Sequence, residues 1–343
     1  MTPFFRRIRK KLADDNQFIK YSRYAIGEII LVVLGILIAL QVNDMNESKK
    51  QKNQLISKLK KVESELILNI QYLDRQINFA LETDSLLRTI INEQVELKTY
   101  KESPLYPNLI TTYQNVDVLD NTYKSFVSNQ ENIPESLDSL KMYLDAFYQF
   151  DVVGMMSSSG LVAEVCADYI IFLRDDKVWY KDIKLGSMTD EMYDFHLHDQ
   201  RFMNYAYFYY RMFGPNFLRS LQEGRTTAVK AYNRLFQYLS HEDPSRNEEK
   251  LFDIDPSNFP FYHGNYNSNA PFVSIQSRGN ALFLHRKDFD GLVQEYSIVP
   301  IDQNTFYINN SYGIYHIKTD NNNEKSLIHG GENPAYEVYV QSD

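Results

Sequence analysis

Residues 24–44 read YAIGEIILVVLGILIALQVND. The segment Tyr24–Val42 is 19 residues long, about 28 Å as a helix, which crosses a bilayer core. Its uninterrupted apolar run, Ile29–Leu40, has only 12 residues, a length shared with signal-peptide cores and buried helices. Two features favour a retained span. Ala25, Ile26 and Gly27 extend the run upstream, and LQVNDMNESKK places bulky and polar residues where a signal peptidase needs small ones. The sequence therefore predicts one transmembrane helix at 24–42, with an interfacial element or a cleaved signal as the alternatives.

Residues 1–23 carry Arg6, Arg7, Arg9, Lys10, Lys11, Lys20 and Arg23 against Asp14 and Asp15, so +7 − 2 = +5. The whole chain is −9, which leaves −14 for the rest. Six lysines follow within residues 43–62, but the first, Lys49, lies seven residues past Val42. The positive-inside rule then puts the N-terminus in the cytoplasm and the C-terminal domains on the far side of the membrane. Phe4, Phe5, Ile8 and Leu12 recur at helical spacing among Arg6, Arg7, Arg9, Lys10 and Lys11. That pattern fits an amphipathic segment on anionic lipid, with the bilayer itself as a partner. An acidic body argues against nucleic acid. The one cysteine, Cys166, cannot form an internal disulfide, and its apolar neighbours predict a buried, inert thiol.

Glu28 is the acid inside the span. Glu28, Gly35 and Ala39 lie at offsets of 0, 7 and 11 residues, within about 20° of one another around a helix. Gly35-x-x-x-Ala39 is a small-x-x-x-small pattern that admits a second helix closely. One reading is therefore a helix-pairing face, for a homo-oligomer or a partner membrane protein. The other is a carboxylate near the membrane edge that snorkels to the headgroups.

The stretch FFRRIRKKL…FIKYSRYAIGEIILVVLGILIALQVND, residues 3–44, resembles the head of an uncharacterised family of bacterial single-pass membrane proteins, a domain of unknown function. A weaker similarity continues through NTYKSFVSNQENIPESLDSLKMYLDAFY, residues 121–148. The resemblance implies a membrane anchor followed by a helical extracytoplasmic region. It implies no activity.

After the span, Leu55, Leu59, Val62, Leu66, Ile70, Leu73, Ile77, Ala80, Leu87 and Ile91 recur at mostly helical spacing. They predict a long helix over Lys50–Thr99, about 75 Å. It is either a coiled coil or, as Asp84 on the seam favours, a membrane-proximal helix packed on later ones. KESPLYPNL breaks the pattern at Pro104 and Pro107. Further helices are expected over Val118–Gln130, from Pro134 to Phe150, from Thr189 to Phe213 and over Asn216–His241. MMSSSG, ending at Gly160, reads as a loop, Leu161–Leu173 as helix or buried strand, and Gly214–Pro215 as a helix stop.

FHLHD offers His196, His198 and Asp199, but two histidines two apart face different sides of a helix, so a metal site is disfavoured. Tyr205, Tyr207, Phe208, Tyr209, Tyr210 and Phe213 read as core plus rim, with a ligand groove as the alternative. Ser57-x-x-Lys60 has a nucleophile spacing without the partner motifs it needs.

Past the charged linker 246–260 the pattern turns strand-like. Strands are expected at Phe261–Tyr266, Phe272–Ser277, Ala281–Arg286, Leu292–Pro300, Thr305–Ile308, Tyr312–Lys318, Lys325–His329 and Tyr336–Val340, as a small antiparallel barrel or curved sheet. From YHGNYNS to SLIHGG the tail resembles the small β-domain behind the catalytic domain of some beta-lactamase-like serine hydrolases. That resemblance implies a lipocalin-like accessory module without catalytic residues.

The fold expected is a membrane-anchored α+β chain. It comprises a basic segment 1–23, a transmembrane helix 24–42, a mainly helical region 43–245, the linker, and a β-barrel-like domain 261–343. The function expected is a non-enzymatic scaffold or interaction protein of the cell envelope, with no cofactor or metal. The alternatives are a ligand-binding or sensory module using the β-domain or the Tyr/Phe groove, and a cryptic hydrolase-related enzyme assembled from residues such as His241, Asp243, His263 and His285.

Overall fold

The computed structural model describes residues 17–103, 105–128, 134–246, 251, 259–267, 272–278, 281–287, 291–300, 303–308, 315–329 and 338–342. Arg6, Arg7, Arg9, Lys10 and Lys11 lie outside the described residues, as does most of the 246–260 linker. The chain divides into two compact units, Met1–Leu59 and Lys60–Asp343.

Helix α1 spans Gln17–Ile91. It starts earlier and ends sooner than the expected Lys50–Thr99, because helical pattern and span merge without a breaker between them. In the first unit its large apolar side chains from Ile26 to Val42 are all 47–73% exposed.

In the second unit the helix becomes one-sided. Val62, Leu66, Ile70, Leu73, Ile77, Ala80 and Leu87 are all buried, as the seam predicts. The buried face also holds Glu65, Asn69 and Asp84. Asp84 accepts from Arg88 Nε at 2.8 Å, one turn on. The helices that follow are α2 (Leu97–Glu102), α3 (Leu105–Asn108), α4 (Asn121–Val127), α5 (Asp138–Asp145), α6 (Val152–Asp176), α7 (Tyr180–Lys184), α8 (Asp190–His198), α9 (Gln200–Met212) and α10 (Arg219–Glu242). Among them, α3 reaches α1 through Tyr106 Oη, 3.1 Å from Thr89 Oγ1, α4 through the Thr122 amide, 2.8 Å from Glu65, and α10 through Arg225, paired with Asp74, as an arm of a bundle would be held.

The irregular segment 112–120 is stitched to α1 by side chains. Tyr72 Oη donates to Asn115 O at 3.0 Å and accepts from Asp117 N at 3.0 Å. The Asn69 amide donates to Leu119 O at 2.8 Å and accepts from Leu119 N at 2.9 Å. Glu65 accepts from Thr122 N at 2.8 Å and Tyr123 N at 3.1 Å, so a carboxylate of one helix satisfies the open N–H groups at the start of another.

Three local expectations are corrected. MMSSSG is helical, inside α6. Its serines would favour a loop if their hydroxyls lacked partners. Here Ser158 Oγ bonds Gly154 O at 2.6 Å and Ser220 Oγ at 2.9 Å, and Ser159 Oγ donates to Gln114 O at 2.5 Å. Gly214–Pro215 does not stop the chain. A π-helical turn, Phe213–Leu218, carries it into α10, and its wider winding relieves the clash between a proline ring and the preceding turn. The break falls instead at Asp199, which ends α8 and whose carboxylate caps α9 by accepting from Arg201 N at 2.8 Å. At α8 the expected start holds: Thr189 Oγ1 accepts from Met192 N at 3.3 Å. Along α10, Gly224 lies against Met155, where an added Cβ would sit 2.8 Å from the Met155 methyl.

The tail opens with a helical turn, α11 (Phe259–Tyr262), where the first expected strand was to begin. Eight strands follow: β1 (Gly264–Asn267), β2 (Val273–Arg278), β3 (Ala281–Lys287), β4 (Val293–Pro300), β5 (Thr305–Ile308), β6 (Tyr315–Thr319), β7 (Lys325–His329) and β8 (Val338–Ser342). Each pairs antiparallel with the next, and β1 pairs with β8 to close the barrel. Eight strands leave an interior just wide enough for side chains. Tyr266, Leu284, Phe306, Tyr315, Ile317 and Tyr339 fill it as a packed core.

A buried guanidinium fastens the barrel to the helices. Arg225 of α10 is 1% exposed. It pairs through Nε with the Asp74 carboxylate of α1, and its Nη1 donates to Pro300 O at 3.4 Å and Tyr307 Oη at 3.3 Å.

Candidate functional site

The C-terminal end of α1 forms one wall of a cleft of about 370 Å³. The helix ends in a Schellman motif, in which Glu93 N donates to Ile90 O and Gln94 N to Thr89 O, each at 2.9 Å. Glu93 takes the left-handed position of that motif, at φ 56°, where glycine is the usual occupant. Glu93 and Glu96 line the cleft together with Val95 and Leu97. The opposite wall is His196 to His198 of α8 with Met203 of α9.

Tyr100 and His196 are its two most deeply buried lining residues, 1% and 2% exposed. Their rings lie 5.4 Å apart, and Tyr106 stacks on Tyr100 at 5.5 Å. His196 Nδ1 faces Met192 O at 2.7 Å. A carbonyl only accepts, so Nδ1 carries the proton and Nε2 accepts from Tyr169 Oη at 3.3 Å. Burial pushes the His196 imidazole down to about 4, with the nearby Lys177 charge adding to it and the bond to Met192 opposing it, so the ring is neutral.

Tyr100 differs from every tyrosine around it. Its hydroxyl is buried and has no hydrogen-bond partner among the described residues. Burial, then the neighbouring Tyr169, Tyr106 and Tyr193, push it well above the usual phenol range. A second donor without a partner among the described residues, Trp179 Nε1, belongs to the same aromatic cluster, with the Trp179 ring 6.1 Å from His196.

The residues singled out in the sequence are scattered. Glu28, Gly35 and Ala39 are exposed on α1. His196 points into the cluster and His198 is exposed, so the pair diverges as its spacing requires; among the described residues no group of three metal-capable side chains converges. Cys166 is buried and pushed up to about 12 by that burial. Of the aromatic run, Tyr209 and Phe213 are buried and stacked at 5.4 Å, while Tyr207 and Phe208 are exposed. Ser57 and Lys60 are both exposed. His241 lies beside Glu242, Asp243 beside Ser245 and Lys60, and His285 beside Glu295, each in its own surroundings.

Tyr100 and Glu93 carried no signal in the sequence. They flank a helix end whose position the periodicity overran, and the wall they face is built from residues about a hundred positions away. Comparison with protein-family models, with curated proteins and with solved structures finds no match to this chain.

Proposed function

We propose that this chain is a single-pass anchored interaction protein of the bacterial cytoplasmic membrane, with a cytoplasmic N-terminus and extracytoplasmic helical and barrel domains. The observation that carries this reading is the uncovered apolar run of α1, 0% buried. Such a surface on a folded chain calls for lipid or a partner. A signal sequence has the same apolar core, but its cleavage region is extended and small-residued. Here the helix continues unbroken to Ile91. The resemblance of residues 3–44 to single-pass membrane proteins, and the charge excess before the span, support the same reading. The packed barrel acts as an accessory binding surface rather than a catalytic domain.

Within the membrane, Glu28, Gly35 and Ala39 form the pairing face. Among the described residues nothing lies within 4 Å of a Cβ placed on Gly35, which leaves room for a second helix, either another copy or a partner membrane protein.

Carbonate extraction should leave the protein in the membrane pellet, and a reporter fused after Asp343 should be active outside the cytoplasm. Release by carbonate removes the anchor, and a cytoplasmic reporter signal inverts the topology. In-membrane crosslinking should fall in Glu28→Leu and Gly35→Leu. Equal yields would leave Glu28 as a snorkelling acid.

A further inference from the structure

We propose that the outer face of α6 is an interface on which a second copy of this chain packs antiparallel, about a two-fold axis at Ser157. The face is helical, apolar and uncovered. Phe150, in the π-helical turn Ala146–Asp151 that leads into α6, is 72% exposed, and Val153, Met156 and Leu161 on the helix are 59%, 56% and 43% exposed. No charged residue stands between Val152 and Ala163. A charge-free apolar strip on an exposed helix marks a contact surface. Two glycines lie in it. Gly154 and Gly160 sit within the helix, where glycine lowers stability relative to alanine. Gly224 of α10 is accounted for inside the chain, since Met155 lies where its Cβ would be. Among the described residues nothing lies within 4 Å of a Cβ placed on Gly154 or Gly160.

The occupant follows from the order of the residues. Val153 and Leu161 stand four positions to either side of Ser157, and Gly154 and Gly160 stand three. At about 100° and about 1.5 Å per residue, an antiparallel two-fold through Ser157 sets Val153 of one copy over Gly160 of the other, and Leu161 over Gly154. One strip thus supplies both the knobs and the gaps that receive them, and each contact occurs twice, as in an isologous interface. A foreign helix needs no such symmetry about Ser157, whereas a second copy does. Charge fixes the direction. A parallel pair would also seat valine on glycine, through Gly154, but it would place the exposed Glu164 of one copy beside Glu164 of the other. Like charges so placed oppose association. In the antiparallel pair each Glu164 lies beside Phe150, seven positions to the other side of Ser157, and the two carboxylates are about 20 Å apart.

This surface belongs to the second unit and is separate from the pairing face proposed in the membrane, so its test is run in a Gly35→Leu background. Two differently tagged copies of the full chain would be co-expressed in membranes and mildly oxidised; the native Cys166 is buried and stays silent. Val153→Cys in one copy with Leu161→Cys in the other should give a disulfide-linked dimer, and Ser157→Cys should link to itself. Val153→Cys with itself should link several-fold less, because the antiparallel register sets its two copies about 12 Å apart along the helix. Glu191→Cys, exposed on α8, should not link. Adding Gly160→Leu to Ser157→Cys should abolish the dimer without lowering the thermal midpoint, since leucine suits an exposed helical position better than glycine. Absence of the Ser157→Cys dimer, a Val153→Cys self-link as strong as the mixed link, or a dimer that survives Gly160→Leu would each overturn the assignment.

Discussion

Tyr148 and Tyr100 are both buried in the helical part, yet their hydroxyls are treated in opposite ways. Tyr148 donates to Glu65 at 3.1 Å and accepts from Asn69 at 3.3 Å. It stacks on Tyr123 at 4.3 Å and closes a network that fixes α4 and the segment before it to α1. Tyr100 sits among the rings of Tyr106, Tyr193 and His196 with its hydroxyl unpartnered among the described residues. A buried polar atom with partners holds a fold together, whereas one without them lowers stability and is kept for another reason. The difference separates a hydroxyl that ties two elements together from one that only fills space in an aromatic cluster.

The comparison can be broken most forcefully at Glu65. Glu65→Ala strands the Thr122 and Tyr123 amides and the Tyr148 hydroxyl, and should lower unfolding stability by about 4 kcal/mol, read as a large drop in thermal midpoint. Little change would mean the network is ornamental. Next in size is the pH response of the other cluster. The His196 value is depressed from 6.5 to about 4 in the folded chain, so the unfolded chain binds the extra proton first. Its contribution is full above pH 6.5 and is lost as pH falls towards 4, about 3 kcal/mol in all. His196→Gln should flatten that part of the stability–pH curve, and an unchanged slope assigns it elsewhere.

The two tyrosines themselves give smaller effects of opposite sign. Tyr148→Phe should cost about 1 kcal/mol and Tyr100→Phe should be neutral or stabilise by about the same amount. Parallel losses in the two variants would erase the distinction drawn between them. The smallest effect belongs to Glu93→Gly. Relieving the left-handed glutamate should raise stability by less than about 1 kcal/mol. A loss of stability instead would mean that the Glu93 side chain helps to hold the helix end.

The barrel was the most legible part of the chain. Alternation in segments such as Ala281–Lys287, with turn residues between them, locates all eight strands to within a few residues. Closure was less certain, because the β1–β8 pairing joins residues near 265 to residues near 341. The seam from Val62 to Leu87 was equally plain, since a helix buried on one side must repeat its apolar residues every three or four positions. Legibility failed where a polar group takes its meaning from a distant partner. Ser158 and Ser159 look like loop residues until Ser220 and Gln114 reach them. Glu65 and Asn69 look like the solvated side of α1 until the 112–123 segment lies against them.

The sequence by itself determined the periodic features: an apolar run long enough to cross a bilayer, a one-sided helix after it, and alternating strands at the end. Each follows from local side-chain spacing meeting a fixed backbone repeat. Only the tertiary structure decided which polar groups are satisfied and which are not. The hydroxyls of Tyr148 and Tyr100 are chemically identical and locally undistinguished. Hydrogen bonds depend on atoms meeting within about 3 Å, and chain positions 65 and 148, or 100 and 196, come together only in the folded molecule.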